Sequence, residues 1–297
     1  MSLLKPAKFF LGLSSALVLT SAVLLFIPGP KMSIDFTGGT MTEIRLPEGI
    51  EKSNVEEALS TFESENPLGN VALTKTKSST VLMRMRDISN DEHLALLGHL
   101  RNELGQIKEL QFTTIGPTVG ASLKKRSFWA LGIAAIAIVL YIAFAFRKVP
   151  RKLSPWRFGI IAVITLIHDV LITVGIFILI SQVTSFEFDT LFITALLTIL
   201  GYSVNDTIVI FDRIRDNLTE QGRKEDFAEV ADRSLSQSIT RSINTSVSTL
   251  IMLSCLFILG SESIRWFVLT LIIGAVIGTY SSLFLATPLL VYWKKKQ

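Results

Sequence analysis

The chain has 297 residues, of which 49% are hydrophobic and only 18% charged, and its mean hydropathy is +0.49. That balance excludes an ordinary soluble domain, where about a quarter of residues carry charge, and points to an integral membrane protein. The pI of about 9.2 does not indicate nucleic acid, because Lys and Arg gather at the ends of apolar runs, where they act as an orientation signal.

A bilayer core needs about 20 apolar residues per helix. Six stretches meet this, roughly 9–27, 128–146, 158–181, 188–211, 242–260 and 265–292. The first follows Lys5 and Lys8, and the "PGPKMSIDF" after it has no small-x-small cleavage site, so it reads as a retained span rather than a signal peptide. Arg147, Lys148, Arg151, Lys152 and Arg157 fill the loop between spans two and three. Arg213, Arg215, Arg223, Lys224 and Arg233 lie between spans four and five, and Lys294 to Lys296 follow span six. The loops 182–187 and 261–264 carry no Lys or Arg, so the positive-inside rule puts both termini in the cytoplasm and residues 28–127 outside.

Residues 28–127 read as a small α+β domain. "IDFTGGT" comes first, with Asp35 as a turn residue and Gly38-Gly39 permitting a tight bend. "TMTEIRL" alternates like a strand, and "SNVEEALSTFES" has helical spacing with a capping box at Ser53 and Glu56. "VALTKTK" and "TVLMRMR" form a hairpin around a Ser-Ser turn, "SNDEHLALLGHLRNEL" is a second capped helix, and "IKELQFTTI" a last strand. The β-α-β-β-α-β order matches the split βαβ, ferredoxin-like motif. "IGPTVG" then breaks the strand at Gly116-Pro117, with Gly120 close behind.

Ionisable residues inside the spans are the candidate site. A charge at the centre of a membrane helix costs roughly 3 kcal/mol. Span three holds His168 and Asp169 about halfway along; the pair fits a proton relay, or alternatively a structural pair bonded across helices. Span four holds Asp206 among Gly201, Ser203, Asn205 and Thr207, with Tyr202 nearby. Apolar Ile208 to Phe211 follow, so the helix is still in the bilayer there; the plainer alternative is a shallow carboxylate at the interface. Arg241, Asn244 and Thr245 share one face of span five, making Arg241 either a partner for Asp206 or an arginine snorkelling at a helix end. Between spans four and five, residues 212–241 are charged and cytoplasmic. Phe227, Val230, Leu235 and Ile239 there predict an amphipathic helix along the membrane surface, or else a solvated connector. No Walker loop, nucleophile elbow or zinc pattern occurs, so no enzyme activity, cofactor or metal is expected. Cys255 is the single cysteine, and no disulfide can form within the chain.

"IDFTGGT" after the first span, "IGPTVG" before the second, "HDVLIT" in the third, "GYSVNDTIVIFDRIRDN" in the fourth and "SITRSINTS" at the fifth together resemble the SecF family. SecF is the smaller half of the SecDF protein-translocation accessory complex, in the RND superfamily. The likeness runs in order along nearly the whole chain. It implies SecD as partner, with twelve spans in the pair. It also implies association with the SecYEG channel and YajC in the cytoplasmic membrane, and use of the proton-motive force to draw unfolded polypeptide outward, with Asp206 and Arg241 implicated in proton transport. Two rivals stay open: half of an RND-type proton-driven exporter of lipids or small molecules, and a passive scaffold for SecD, which needs no titrating residue.

Overall fold

Apolar helices make up most of the molecule. The computed structural model describes residues 4, 6–62, 66–69, 71–75, 80–147, 154–220 and 226–295. Lys5, Lys148, Arg151, Lys152, Arg223, Lys224, Lys296, Gln221 and the Ser78-Ser79 turn lie outside the described residues. In chain order the elements are α1 (Ala7–Leu24), the one-turn α2 (Ile34–Thr37), β1 (Gly39–Arg45), α3 (Lys52–Ser60), β2 (Ala72–Lys75), β3 (Thr80–Met85), α4 (Asn90–Leu104) and β4 (Lys108–Ile115). They continue with α5 (Pro117–Ala145), α6 (Pro155–Val183), α7 (Thr190–Glu220), α8 (Phe227–Leu259), α9 (Arg265–Ser281) and α10 (Thr287–Lys295). Two units arise: one of Met1–Pro30, Phe128–Gln182 and Leu191–Gln297, the other of Lys31–Ser127 and Val183–Thr190.

Among the described residues, six helices are long and apolar enough to cross a membrane: α1, α5, α6, α7, α8, and a sixth in which α9 runs into α10 through a π-helical turn, Ser282–Ala286. Half of the apolar stretch is buried in α6, in α7 and in the sixth helix, against 17%, 6% and 11% in α1, α5 and α8, so the first three form the inside of the unit. Phe158 of α6 anchors the core, its ring 5.2 Å from both Phe146 and Phe211. Ile210, Ile214, Leu283 and Leu290 complete it.

One expectation changes here. The amphipathic stretch expected before residue 241 is not a separate helix, because α8 runs unbroken from Phe227 to Leu259. Phe227, Ala231 and Leu235 are buried in the same core as Ile210, Phe211 and Ile214 of α7. The apolar stripe is therefore spent on a neighbouring helix rather than on lipid. Along the same buried face runs a ladder of serines, Ser234, Ser238, Ser242 and Ser246, at a strict four-residue spacing. Small side chains in such a row let helices approach closely. Ser234 accepts from Asn217 of α7 at 2.8 Å, and Ser246 bonds Thr279 of α9 at 2.7 Å.

In the second unit, β1 to β4 form one antiparallel sheet in the order β2-β3-β1-β4. Alternation puts Ile44, Val81 and Met83 on one face, where Val55 of α3 and Leu96 and Leu100 of α4 close the core. The first capping box sits two residues before the expected position. Glu51 is the N-cap and its N–H donates to Asn54 at 2.9 Å, leaving Ser53 inside the helix. At α4 the box joins Ser89 and Glu92, and Arg86 lies 2.5 Å from Glu92. Hydrogen bonds from Arg86, and then from the Ser89 backbone, hold the Glu92 carboxyl down at about 2, so it stays ionised through any physiological acidity.

Residues 183–190 complete this unit from far along the chain. Arg84 of β3 pairs with Glu187; burial lowers its guanidinium to about 10, and it remains charged at neutral pH. Phe188 N–H donates to Lys31 at 2.9 Å, and Ser33 N–H donates to Phe188 at 3.0 Å, as in a short parallel bridge. Asp35 then accepts from both the backbone N–H (2.9 Å) and the hydroxyl (2.6 Å) of Thr190, the first residue of α7. A carboxylate at a helix start satisfies an orphan donor and complements the positive end of the helix dipole. Asp35 is thus a cap for α7.

Candidate functional site

Asp169 of α6, in the membrane unit, has no exposed surface. Its Oδ1 accepts from His168 Nδ1 at 2.8 Å, and its Oδ2 accepts from Ser203 Oγ of α7 at 2.5 Å and Ser281 Oγ of α9 at 2.8 Å. Three helices thereby meet on one carboxylate. Gly278 of α9 allows this approach, since a Cβ there would stand 2.8 Å from Ser203 Cβ. The π-helical turn starts at Ser282, directly after Ser281, and Ser282 also reaches α7, donating to the Ser203 carbonyl at 3.1 Å and bonding Thr207 Oγ1 at 2.9 Å. π-turns of this kind often mark functional positions in helices. His168 is 4% exposed, stacks on the Tyr280 ring at 6.3 Å, and its Nε2 has no partner among the described residues. Tyr280 Oη in turn bonds Ser14 of α1 at 3.0 Å.

Asp206 lies one turn beyond Ser203, about 24 Å along α7 at 1.5 Å per residue. It is 6% exposed. Ser242 and Arg241 of α8 face its carboxylate; among the described residues Arg241 makes no ion pair with it and the Ser242 hydroxyl is buried without a hydrogen-bond partner. Arg241 also lines a cavity of about 230 Å³ between α7 and α8, with Asp212, Arg213, Asp216 and Gln237. Position thus brings Arg241 to Asp206, but not the other polar residues singled out in sequence. Asn205 is exposed, and the Tyr202 hydroxyl is buried without a partner among the described residues. Asn244 and Thr245 are exposed, and their carbonyls receive the Ser248 and Thr249 hydroxyls. Ser242 is the neighbour that the sequence reading missed, although the four-residue serine spacing marks it.

The two glycine motifs meet each other in the smaller unit. Gly38 has φ +75° and ψ 170°, and a Cβ on it would lie 2.7 Å from Pro117 Cα. A Cβ on Gly120 would lie 2.8 Å from Gly38 N, and one on Gly39 2.7 Å from the Met85 carbonyl. Gly116 has ordinary room, and Pro117 starts α5 where the last strand ends. Among the described residues no group of His, Cys, Asp and Glu could hold a metal ion.

These motifs and spans have counterparts in known proteins. A family model described as "Protein export membrane protein SecD/SecF, C-terminal" matches residues 97–296, and one described as "SecD/SecF GG Motif" matches residues 23–46, which include Gly38 and Gly39. The chain belongs to the SecD/SecF family. Within it, the protein translocase subunit SecF of Thermobaculum terrenum is 41% identical over 97% of this chain and 92% of that protein. The protein translocase subunit SecDF of Thermus thermophilus is 32% identical over 98% of this chain, but over only 38% of its own length. A crystal structure of SecDF from that organism, titled a translocon-associated membrane protein, superposes with a TM-score of 0.85 at 32% identity, covering 99% of this chain and 39% of that one. The chain therefore matches SecF proteins nearly end to end and about two fifths of the longer SecDF chains.

Proposed function

We propose that the chain is the SecF-type accessory subunit of the Sec protein translocase, working with SecD to turn the proton-motive force into export across the cytoplasmic membrane. The observation that carries this reading is the buried Asp206 of α7, facing Arg241 and Ser242 of α8 beside a charged cavity. Loss of water and approach of a guanidinium pull the protonation of any carboxylate in opposite directions, so relative movement of two such helices loads or releases a proton. A proton crossing the membrane delivers about 2.3 kcal/mol per 100 mV, enough to bias a two-state domain.

The small unit is ferredoxin-like in this reading, which its β-α-β-β-α-β order and the strand order β2-β3-β1-β4 support. It is inserted between the first and second spans and lies outside, with both termini in the cytoplasm, which the basic loops support. With the exposed Cys255 replaced by Ser, a cysteine at Ser78 labels from outside intact cells and one at Gln221 does not; the opposite pattern would reverse the orientation.

SecD is the partner best supported, because Arg241, Asn244, Thr245 and Ser248 leave an exposed polar stripe on a membrane helix. Such a stripe needs other helices or water beside it. The SecYEG channel, YajC and the unfolded client belong to the same proposal. The direct test is export by vesicles containing SecYEG and SecD, with and without this chain. Stimulation that appears only with the chain and only under a proton gradient is the expected result. Equal stimulation without a gradient favours the scaffold reading, and gradient-driven efflux of lipid or small molecules favours the exporter reading.

A further inference from the structure

His168 and Asp169 raise a question of charge that Asp206 does not answer. The groups acting on the Asp169 carboxylate are His168 on its own helix, Ser203 on α7 and Ser281 on α9, with no lysine, arginine or second acid among them. Around His168 stand the Tyr280 ring of α9 and, through its hydroxyl, Ser14 of α1. Asp206 is on the same helix as Ser203 but faces Arg241 and Ser242 of α8.

With His168 donating its Nδ1–H as a neutral imidazole, Nε2 is bare, and the pair then carries one uncompensated negative charge between three membrane helices. Such a charge is expensive. One additional proton makes the pair neutral, and two places can take it. The first is His168 Nε2, buried and without a partner among the described residues. The second is Asp169 Oδ2. There the Ser281 hydroxyl has two acceptors within reach, Asp169 at 2.8 Å and the Gly278 carbonyl at 3.1 Å. When Oδ2 is protonated, Ser281 turns its hydrogen to the Gly278 carbonyl and its oxygen accepts from Asp169. No hydrogen bond is lost, and only an O–H or N–H bond forms or breaks.

We infer that the His168–Asp169 pair is a second proton-binding site, separate from Asp206 and Arg241. The inference rests on the reading of the chain as a proton-driven subunit. It adds a bound proton at the junction of α6, α7 and α9, beside a carboxylate that accepts from Ser203, one turn from Asp206.

The test measures protons directly. The full chain, co-purified with SecD and reconstituted in lipid, is titrated between about pH 8 and pH 5, and proton uptake is read with a pH dye in weak buffer. Asp169→Asn and His168→Gln each lower uptake by about one proton per chain, because the pair behaves as a single site. Asn takes the carboxylate away from the imidazole. Gln takes the imidazole away from the carboxylate, so the shared site is gone. Either variant alone decides the matter, should the other fail to fold. Asp206→Asn keeps the proton of the pair and loses its own. Unchanged uptake in a folded Asp169→Asn or His168→Gln protein overturns the second site and leaves the Asp206 reading intact. Unchanged uptake in Asp206→Asn, with loss in the other two, overturns the Asp206 reading and keeps the pair.

Discussion

Asp206→Asn abolishes gradient-dependent stimulation of export while the chain stays folded and bound to SecD. Asn has the shape of Asp and keeps an oxygen toward Ser242, so packing of α7 on α8 survives. What disappears is the only property that lets this position follow a proton gradient. A step that draws about 2.3 kcal/mol from each 100 mV and then loses that source slows by about tenfold or more. Arg241→Met is expected to be nearly as severe, since it removes the cation that faces the acid. Arg241→Lys keeps the charge but not the planar fork, and a partial defect is expected. The measurement is export by SecYEG–SecD vesicles at matched subunit abundance, with and without an imposed gradient. Full stimulation by Asp206→Asn would remove it from the mechanism and leave the scaffold reading in front.

The largest stability effect is expected at Gly38→Ala. The backbone there, at φ +75° and ψ 170°, lies in a region used almost only by glycine. Strain of about 1–3 kcal/mol follows from the conformation alone. The new Cβ also meets backbone, Pro117 Cα at 2.7 Å and the Ile115 carbonyl at 3.2 Å, neither of which can rotate away. Overpacking of that kind adds about 1–3 kcal/mol. Gly49→Ala separates the two terms, because Gly49 has φ +85° with nothing within 4 Å of an added Cβ. Hydrogen exchange of the β1 and β3 amides in the full chain reports the loss. If Gly38→Ala opens no more readily than Gly49→Ala, the contact with Pro117 has no role in holding the unit together.

Much of this was legible in the sequence because it depends on local pattern. Apolar length gives the spans, and alternation gives β1 and β3. Ser89 with Glu92 gives the start of α4, and the rarity of charge in apolar helices picks out Asp169 and Asp206. The companions of those acids were less legible. Asn205 and Thr207 adjoin Asp206 in the chain, yet a helix turns 100° per residue and points them elsewhere. Ser242 faces Asp206 from 36 positions away, and Ser203 and Ser281 reach Asp169 across 34 and 112 positions. Periodicity within one helix marks a contact face, as the serine row of α8 does, but not which residue of another helix meets it. The π-helical turn at Ser282 was equally hidden, since it is fixed by what Ser281 and Ser282 touch and not by the propensities of "SLFLA". The amphipathic period before residue 241 was visible, but period alone does not say whether lipid or α7 covers the stripe.

The clamp formed by residues 183–190 has a practical bearing on how this protein can be divided. The smaller unit is not one interval of the gene. A fragment cut at Lys31 and Ser127 keeps every strand, but it strands the Arg84 guanidinium without Glu187 and the Asp35 carboxylate without Thr190. A faithful excision has to graft the octapeptide Val183–Thr190 back by a linker, beside the Lys31–Asp35 stretch it pairs with. A binding surface mapped on the shorter fragment would include ground that the whole protein keeps covered.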